Sequence, residues 1–212
     1  MLQSEIYQGQ FGEFIIERRD RLEVIIYRLG LTLAASCFVL GTISVLLFGS
    51  HIVVLNLLTV LFFLFCGGLG ISLVTIHIYL APLKRLLQIF CLVGTLSGLV
   101  LLSVISEPLA LYVYNHPMTL WGIGFSFAAL TGIYFKEGFC FQRLETKLLT
   151  PLVPIFLLGH MFGIWSVTLE KALLLTWAIL FLIFAIRKLV QPIPPDIGDK
   201  SVFTYLKTQS IK

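Results

Sequence analysis

Six long runs of apolar residues, separated by short clusters of charge, constrain the fold of this chain more than any other feature of its sequence. The hydrocarbon core of a bilayer is roughly 30 Å thick, and about 20 helical residues cross it. Inside that core the backbone satisfies its hydrogen bonds only in helices or closed barrels, and runs without apolar–polar alternation exclude the barrel. The sequence therefore predicts an all-α, polytopic bundle of transmembrane helices.

Composition and the positions of the charges agree with this class. The chain is 58% hydrophobic and 12% charged, whereas soluble domains are about 45–50% apolar and about 25% charged. We place six spans at residues 29–48, 52–80, 86–106, 118–135, 151–169 and 172–186. The second is overlong, and Gly67-Gly68 near its centre indicates a tilt, a kink or a local break. No Asp, Glu, Lys or Arg lies within these spans, which argues against transport by a charged-residue mechanism.

The distribution of cations predicts the orientation. Every Lys and Arg except Lys171 falls on one side of the predicted topology. The positive-inside rule therefore places both termini in the cytoplasm, or in the stroma of a plastid. The net charge of +4 reflects this topology and an attraction to anionic headgroups. It does not indicate nucleic acid, because no basic patch is interleaved with stacking aromatic residues.

Three regions follow from this topology. Residues 1–28 form an amphipathic interfacial segment, in which apolar residues from Phe11 onward recur at helical spacing and predict a helix that feeds the first span. Residues 29–186 form the six-span transmembrane domain. Residues 187–212 form a cytoplasmic tail, which the prolines of QPIPPDIGDK separate from the last helix and which we expect to be short and mobile.

The stretch FKEGFCFQRLETKLLTPLVPIFLLGH, residues 135–160, raises the question of an active site. Its basic and apolar residues favour a helix on the cytoplasmic surface, after which Thr150 caps and Pro151 begins the fifth span. The catalytic alternative pairs Glu137 or Glu145 with Cys140 as a nucleophile. That arrangement lacks a histidine base in the same loop, so we expect no catalytic residues here.

His160 is the ionisable side chain that the predicted spans place near mid-membrane. Ionisable groups at that depth are costly and commonly functional, and Gly159 and Gly163 beside it allow close approach of a helix or a flat ligand. One hypothesis is a cofactor-binding role, in which the neutral imidazole ligates the metal of a haem or chlorophyll. The other is a hydrogen bond from His160 to Ser97, Ser126 or a backbone carbonyl.

Other candidate positions carry weaker signals. Gly94 and Gly98 form a second pair of small residues four apart, which is typical of close helix packing. His51, Glu107, His116 and Glu170 lie in short loops on one side, but they share no recognised metal spacing, so we expect no metal site. His77 is interpreted as an interfacial residue.

The stretch from Gly132 to His160 resembles a domain-of-unknown-function family of integral membrane proteins from cyanobacteria and plastids, and the segment ERRDRLEVIIYR is compatible with it. The resemblance implies a photosynthetic setting, in a plasma or thylakoid membrane. It supplies no activity, no cofactor and no catalytic residues to carry over.

Three functional hypotheses remain. The first is a non-enzymatic membrane protein that associates through its helices with a larger membrane complex, in its assembly or stability. The second is a small-molecule permease or channel with a pathway near Gly67, Gly68 and His160. The third is an intramembrane haem- or chlorophyll-binding protein that uses His160.

Overall fold

The computed structural model describes residues 6–209 and contains one long-helix bundle with a small hairpin at its N-terminus. The described part leaves out the outer ends of the two predicted terminal segments, residues 1–5 and 210–212. Lys212 is among them. The elements are β1 (Ile6–Gly9), β2 (Gly12–Ile15), α1 (Arg18–Phe48), α2 (Ile52–Thr75), α3 (Ala81–Val104), α4 (Leu109–Asn115), α5 (Leu120–Phe141), α6 (Leu144–Met161), α7 (Val167–Val190), α8 (Pro194–Ile197) and α9 (Lys200–Gln209). A single 3₁₀ turn, Pro117–Thr119, precedes α5. The all-α class is confirmed.

Six helices run the length of the bundle: α1, α2, α3, α5, α6 and α7. Five of them are long and apolar enough to cross a membrane by length and composition alone, with the turn Pro117–Thr119 counted into the α5 span. The sixth, α6, has 18 residues and carries Glu145 and Lys147 in its first turns. It begins beside the end of α5 and ends beside the start of α7, so it too connects the two ends of the bundle.

Glycines and small residues set the closest helix contacts. Gly30 of α1 and Gly68 of α2 face each other, and a Cβ on either would lie 2.6 Å from the other's carbonyl oxygen. A Cβ at Gly94 of α3 would likewise overlap the side-chain oxygen and the backbone nitrogen of Ser126 on α5. Because these glycines have no side chain, the helices approach closely and gain van der Waals contact, which drives helix association in lipid. Of the alternatives predicted at Gly67-Gly68, the local break is excluded, since α2 continues through both residues.

Aromatic and aliphatic side chains fill the interior between these helices. Tyr134, Trp177, Phe181 and Phe184 are fully or almost fully buried, and Trp177 Nε1 donates to the Tyr134 hydroxyl at 3.3 Å. The outer surface carries exposed Leu, Ile, Val and Phe side chains along α1, α2, α3 and α7. Such a surface is suited to lipid rather than to water, as expected for a membrane bundle.

The N-terminal segment differs from its predicted helix. Residues 6–15 form an antiparallel hairpin with Tyr7 opposite Phe14 and Gly9 opposite Gly12, and α1 begins only at Arg18. Gly12, which directly follows the two-residue loop Gln10-Phe11, has φ 132°, a conformation that glycine adopts readily. The helix predicted over residues 11–17 is therefore wrong, because the hairpin packs its aromatic side chains onto the start of α1 and onto Ile197 near the C-terminus.

The C-terminal segment, as far as Gln209, folds back onto the hairpin. After α7 ends at Val190, helices α8 and α9 return to the hairpin. Asp199 Oδ2 accepts from the Gln10 backbone N–H at 2.6 Å, and Ser201 Oγ accepts from that of Phe11 at 3.0 Å. The Tyr79 hydroxyl accepts from the Asp199 N–H at 2.6 Å. The described parts of both terminal segments thus lie at the same end of the bundle.

Several predicted span boundaries differ from the structure. The second predicted span ends five residues early, at Thr75, and residues 76–80 form a non-helical link before Pro82 in the first turn of α3. The predicted surface helix is absent as a separate element among the described residues, because α5 continues to Phe141 and α6 begins at Leu144 after Gln142 at φ 53°. Pro151 therefore lies inside α6 rather than at its start, and the Thr150 hydroxyl donates to the Thr146 carbonyl instead of capping.

Candidate functional site

A cavity of about 560 Å³ opens at the bundle end that lies opposite the two terminal segments. It is lined by residues of α1, α2, α4, α5, α6 and α7, and most of its wall is apolar. A smaller recess of about 200 Å³ shares Val45, Leu58, Phe62, Phe127 and Leu174 with it. We refer to the larger space as the bundle cavity. Its size falls within the roughly 300–1,000 Å³ that is usual for small-molecule sites.

The polar part of the wall is a linked group formed by Tyr114, His160 and Glu170, which we call the polar triad. The His160 Nδ1 and Glu170 Oε1 atoms are 2.6 Å apart, and the Tyr114 hydroxyl donates to Glu170 Oε2 at 2.9 Å. The rings of Tyr114 and His160 also lie 4.9 Å apart between centroids. Each carboxylate oxygen of Glu170 therefore has a partner, and the hydrogen bond to Glu170 raises the pKa of Tyr114.

The turn between α6 and α7 brings these side chains together. Helix α6 ends at Met161, Gly163 adopts φ 64°, and the Ile164 N–H donates to the Gly159 carbonyl at 2.8 Å. Ser166 then caps α7 by accepting from the Leu169 N–H at 3.4 Å, which places Glu170 in the first turn. Since one helix ends where the next begins, His160 and Glu170 face each other across this turn.

The structure places His160 in the last turn of α6 rather than at mid-membrane. The predicted depth is wrong because the helix covers 144–161 instead of 151–169. The partners predicted from the sequence were Ser97, Ser126 or a backbone carbonyl, whereas the observed partner is Glu170. The sequence signal for the contact between His160 and Glu170 is their separation of ten residues. A turn that contains glycine lies between them and joins two spans.

The predicted packing glycines lie in different environments. Gly94 faces Ser126, and a Cβ at Gly98 would lie 2.7 Å from the Phe62 ring. Gly159 gives room to the Trp165 indole, whose Nε1 donates to the Phe156 carbonyl at 3.2 Å. Gly163 differs from the prediction, since a Cβ there would meet no atom within 4 Å. Its contribution is the positive φ of the turn.

The loop residues considered for a metal site do not converge. His51 accepts from the Val53 N–H at the start of α2, and His116 Nδ1 lies 3.0 Å from the Tyr112 carbonyl oxygen. Within residues 6–209, no three His, Cys, Asp or Glu side chains are grouped closely enough to hold a metal ion. His77 lies in the link between α2 and α3, with its Nε2 3.4 Å from Glu23.

The opposite end of the bundle contains charged side chains that the predicted span limits excluded. We name Arg28, Lys136, Glu137, Lys188 and Asp196 the buried charge cluster. Lys188 Nζ lies between Glu137 Oε2, at 2.5 Å, and Asp196 Oδ1. Lys136 Nζ donates to Glu137 Oε1 at 2.9 Å, and the Tyr27 hydroxyl donates to the same oxygen at 3.1 Å.

Arg28 ties this cluster to the C-terminal segment. Its guanidinium donates to Asp196 Oδ2 from Nε and Nη2 at 2.9 and 2.7 Å, and to the Gln191 and Pro192 carbonyls at 2.6 and 2.9 Å. Arg28, Glu137, Lys188 and Asp196 are all buried. Burial of a charge is tolerated when it is paired and hydrogen-bonded in this way. The cluster therefore joins α1, α5, α7 and α8 into one unit.

The catalytic alternative raised for the segment after α5 has no support in these contacts. Both carboxylate oxygens of Glu137 accept hydrogen bonds, which come from Lys136, Lys188 and Tyr27. Glu145 accepts from Arg187 Nη1 at 2.8 Å. Cys140 is exposed on the surface of α5. Neither carboxylate forms a hydrogen bond with the Cys140 thiol.

The bundle of long apolar helices and its interior cavity define a polytopic integral membrane protein. Residues 71–205 match the family model described as uncharacterized integral membrane protein (DUF2301). Because the match covers more than half of the chain, the chain belongs to this family, and the predicted membership in a membrane family of unknown function is confirmed. No match is found among curated proteins or among solved structures.

Proposed function

We propose that this protein is a non-enzymatic membrane protein that binds a small amphipathic molecule in the bundle cavity. The observation that carries the proposal is the combination of an apolar wall with a polar triad at one place. Small-molecule sites have this composition, with a few polar groups that orient a largely apolar ligand. The ligand's apolar part would lie against Leu58, Phe62 and Leu174, and its polar part beside His160.

The packed core favours binding over passage through the bundle. Tyr134 of α5 and Trp177 of α7 lie, by their positions along these helices, between the cavity and the buried charge cluster. Both are almost fully buried and are joined by a hydrogen bond. A permease or channel would need these side chains to move, whereas a binding protein would not. For this reason we place the permease hypothesis second to ligand binding.

Co-purification of small molecules with the protein tests this function. Leu174→Trp would fill the cavity, and Leu175→Trp, one position along α7 on the lipid-facing side, is the matched control. We expect wild type and Leu175→Trp, extracted in mild detergent, to retain an amphipathic molecule that mass spectrometry detects in near-stoichiometric amount. Leu174→Trp should lose it. Equal contents in all three folded proteins would refute ligand binding in the cavity.

The haem or chlorophyll hypothesis is a special case of the same site. The contact between Nδ1 and Glu170 leaves His160 Nε2 available, and a carboxylate on the opposite nitrogen commonly orients a metal-binding imidazole. An absorbance spectrum of the purified protein distinguishes this case. A band of a tetrapyrrole in the visible region that disappears in His160→Phe would support it, and a colourless, folded protein would exclude it.

A second proposed role is association with a larger membrane complex, in its assembly or stability. The outer face of α2 carries exposed apolar residues at alternating spacings of three and four: Leu57, Val60, Leu64, Gly67, Ile71 and Val74. This heptad spacing is typical of left-handed packing between two helices, and a Cβ at Gly67 would meet no atom within 4 Å. The partner would be an apolar transmembrane helix of another subunit.

Native gel electrophoresis in mild detergent tests this association. We expect a high-mass band for the wild type, its loss in Gly67→Trp, and its retention in Leu92→Trp, which changes an exposed residue on α3. A wild-type protein that migrates only as a free monomer would contradict the role. Cytoplasmic or stromal termini, and a photosynthetic plasma or thylakoid membrane, also belong to this proposal. Support for them comes from the cation distribution and from the family resemblance.

A further inference from the structure

In the polar triad, the ring nitrogen Nε2 of His160 is free to meet a ligand. Glu170 Oε1 contacts His160 Nδ1, and Glu170 Oε2 accepts from Tyr114. A carboxylate against Nδ1 places the proton of a neutral imidazole on that nitrogen, so the opposite nitrogen, Nε2, is an acceptor. His160 lines the bundle cavity, and its side chain is only 15% exposed. A ligand in the cavity is therefore offered an acceptor.

The charges around this position disfavour an anionic head. Glu170 places a carboxylate beside His160. Among the described residues, Tyr114 and His160 are the hydrogen-bond partners of that carboxylate. Lys171 lines the same cavity and offsets this charge, but it is exposed at the opening. A carboxylate placed against Nε2 would meet an acceptor where it needs a donor. A hydroxyl group supplies the missing hydrogen and adds no charge.

We infer that the bundle cavity selects an amphiphile with a neutral, hydrogen-donating head, an alcohol or a phenol on an apolar tail. The hydroxyl donates to His160 Nε2, while the tail lies against Leu58, Phe62 and Phe127. This inference rests on the proposed ligand-binding function and names the chemical class of the ligand. Tyr114 acts as a positioning residue, because its hydroxyl holds Glu170 and so fixes the ring of His160.

Displacement of tritiated 1-dodecanol from the nanodisc-reconstituted protein tests the inference, with empty nanodiscs subtracted. The competitors are unlabelled dodecanol, dodecyl methyl ether, which has the oxygen without its hydrogen, and dodecanoate. A neutral hydrogen bond contributes about 0.5–1.5 kcal/mol net, so dodecanol should compete about 2- to 13-fold better than the ether. Dodecanoate should also compete less well than dodecanol.

Variants separate the two levels of the proposal. His160→Phe should abolish the preference of the alcohol over the ether while both still bind, and Leu174→Trp should abolish binding of all three probes. Equal competition by alcohol and ether in the wild type, or a preference for dodecanoate that Lys171→Gln removes, would overturn the inference but leave ligand binding intact. No saturable binding of any probe would instead refute the proposed function. The wild-type comparison of alcohol and ether does not depend on the folding of a variant.

Discussion

Arg28 is the residue whose removal should reveal most about how the bundle is held together. It lies on α1 in the buried charge cluster and forms four hydrogen bonds to residues after α7. Arg28→Met would keep much of the side-chain volume but leave Asp196 Oδ2 and the Gln191 and Pro192 carbonyls without this partner. Asp196 would keep its contacts from Lys188 and Gln191 on Oδ1.

The expected cost of this substitution follows from those contacts. All four hydrogen bonds have the charged guanidinium as donor, and a bond of this kind contributes about 1.5–3 kcal/mol when it is measured singly. Because the four are lost together and their contributions do not simply add, we expect the usual cost of removing one partner of a buried ion pair, about 3–5 kcal/mol. Arg19→Met is the matched control, since Arg19 lies on the same helix and pairs with Glu23 at the surface, its side chain 84% exposed. We expect that control to cost about 0.3–0.5 kcal/mol.

Two measurements check this prediction in the purified protein. Reversible unfolding in a detergent mixture gives the difference in free energy of unfolding between each variant and the wild type. Limited trypsin digestion should show faster cleavage at Lys200 in Arg28→Met, because the C-terminal segment loses its anchor on α1. If Arg28→Met is no more destabilising than Arg19→Met and Lys200 stays protected, Arg28 does not anchor the C-terminal segment to α1.

Three further predictions concern single positions. Gly68→Ala should destabilise the protein by about 1–3 kcal/mol in the same unfolding assay, because its Cβ would press on the Gly30 carbonyl, whereas Gly67→Ala should be neutral or stabilising by up to about 1 kcal/mol. Equal effects of the two would contradict the assigned α1–α2 contact. Gly163→Ala should cost about 1–2 kcal/mol through its left-handed φ, and Gly163→Asn less; equal melting temperatures for wild type and both variants would count against the turn. Burial lowers the pKa of His77 from its ordinary 6.5. Lys84 and Lys136 add to this effect, and Glu23 and Asp20 oppose it. The folded state thus binds this proton less tightly than the unfolded state, so the His77 contribution to stability is present above pH 6.5 and is lost as the pH falls through the lower folded pKa. The melting temperature should drop more between pH 7.5 and pH 5.5 in the wild type than in His77→Asn. An equal drop in both proteins would refute this assignment.

The sequence predicted the long helices well and their ends poorly. Hydropathy located the apolar runs that became α1, α2, α3, α5, α6 and α7. It ended two of them at Phe135 and Ile186, where the charges begin. The structure continues α5 to Phe141 and α7 to Val190, since Glu137 and Lys188 neutralise each other inside the bundle. A span predicted from hydropathy stops at a charged residue, because the sequence does not show the partner on another helix that neutralises the charge.

Two residues of the candidate site, His160 and Glu170, stood out in the sequence, but their contact with each other did not. His160 stood out because few ionisable residues interrupt the apolar runs. Its partners Tyr114 and Glu170 come from α4 and α7, and the predicted limits of the fifth span placed its depth wrongly. The cavity itself is bounded by six helices, and no local pattern in any one of them indicates a space between them.

The amino-acid sequence by itself determined that this chain is a polytopic membrane protein, because transfer of apolar residues into lipid is a property of each segment alone. It also showed which ionisable residues, such as His160, interrupt the apolar runs. Only the tertiary structure decided that the N-terminus is a hairpin, that Arg28 meets Asp196 and that His160 meets Glu170. Each of these depends on side chains from separate elements, whose pairing is fixed by how the helices pack and not by the sequence around either residue.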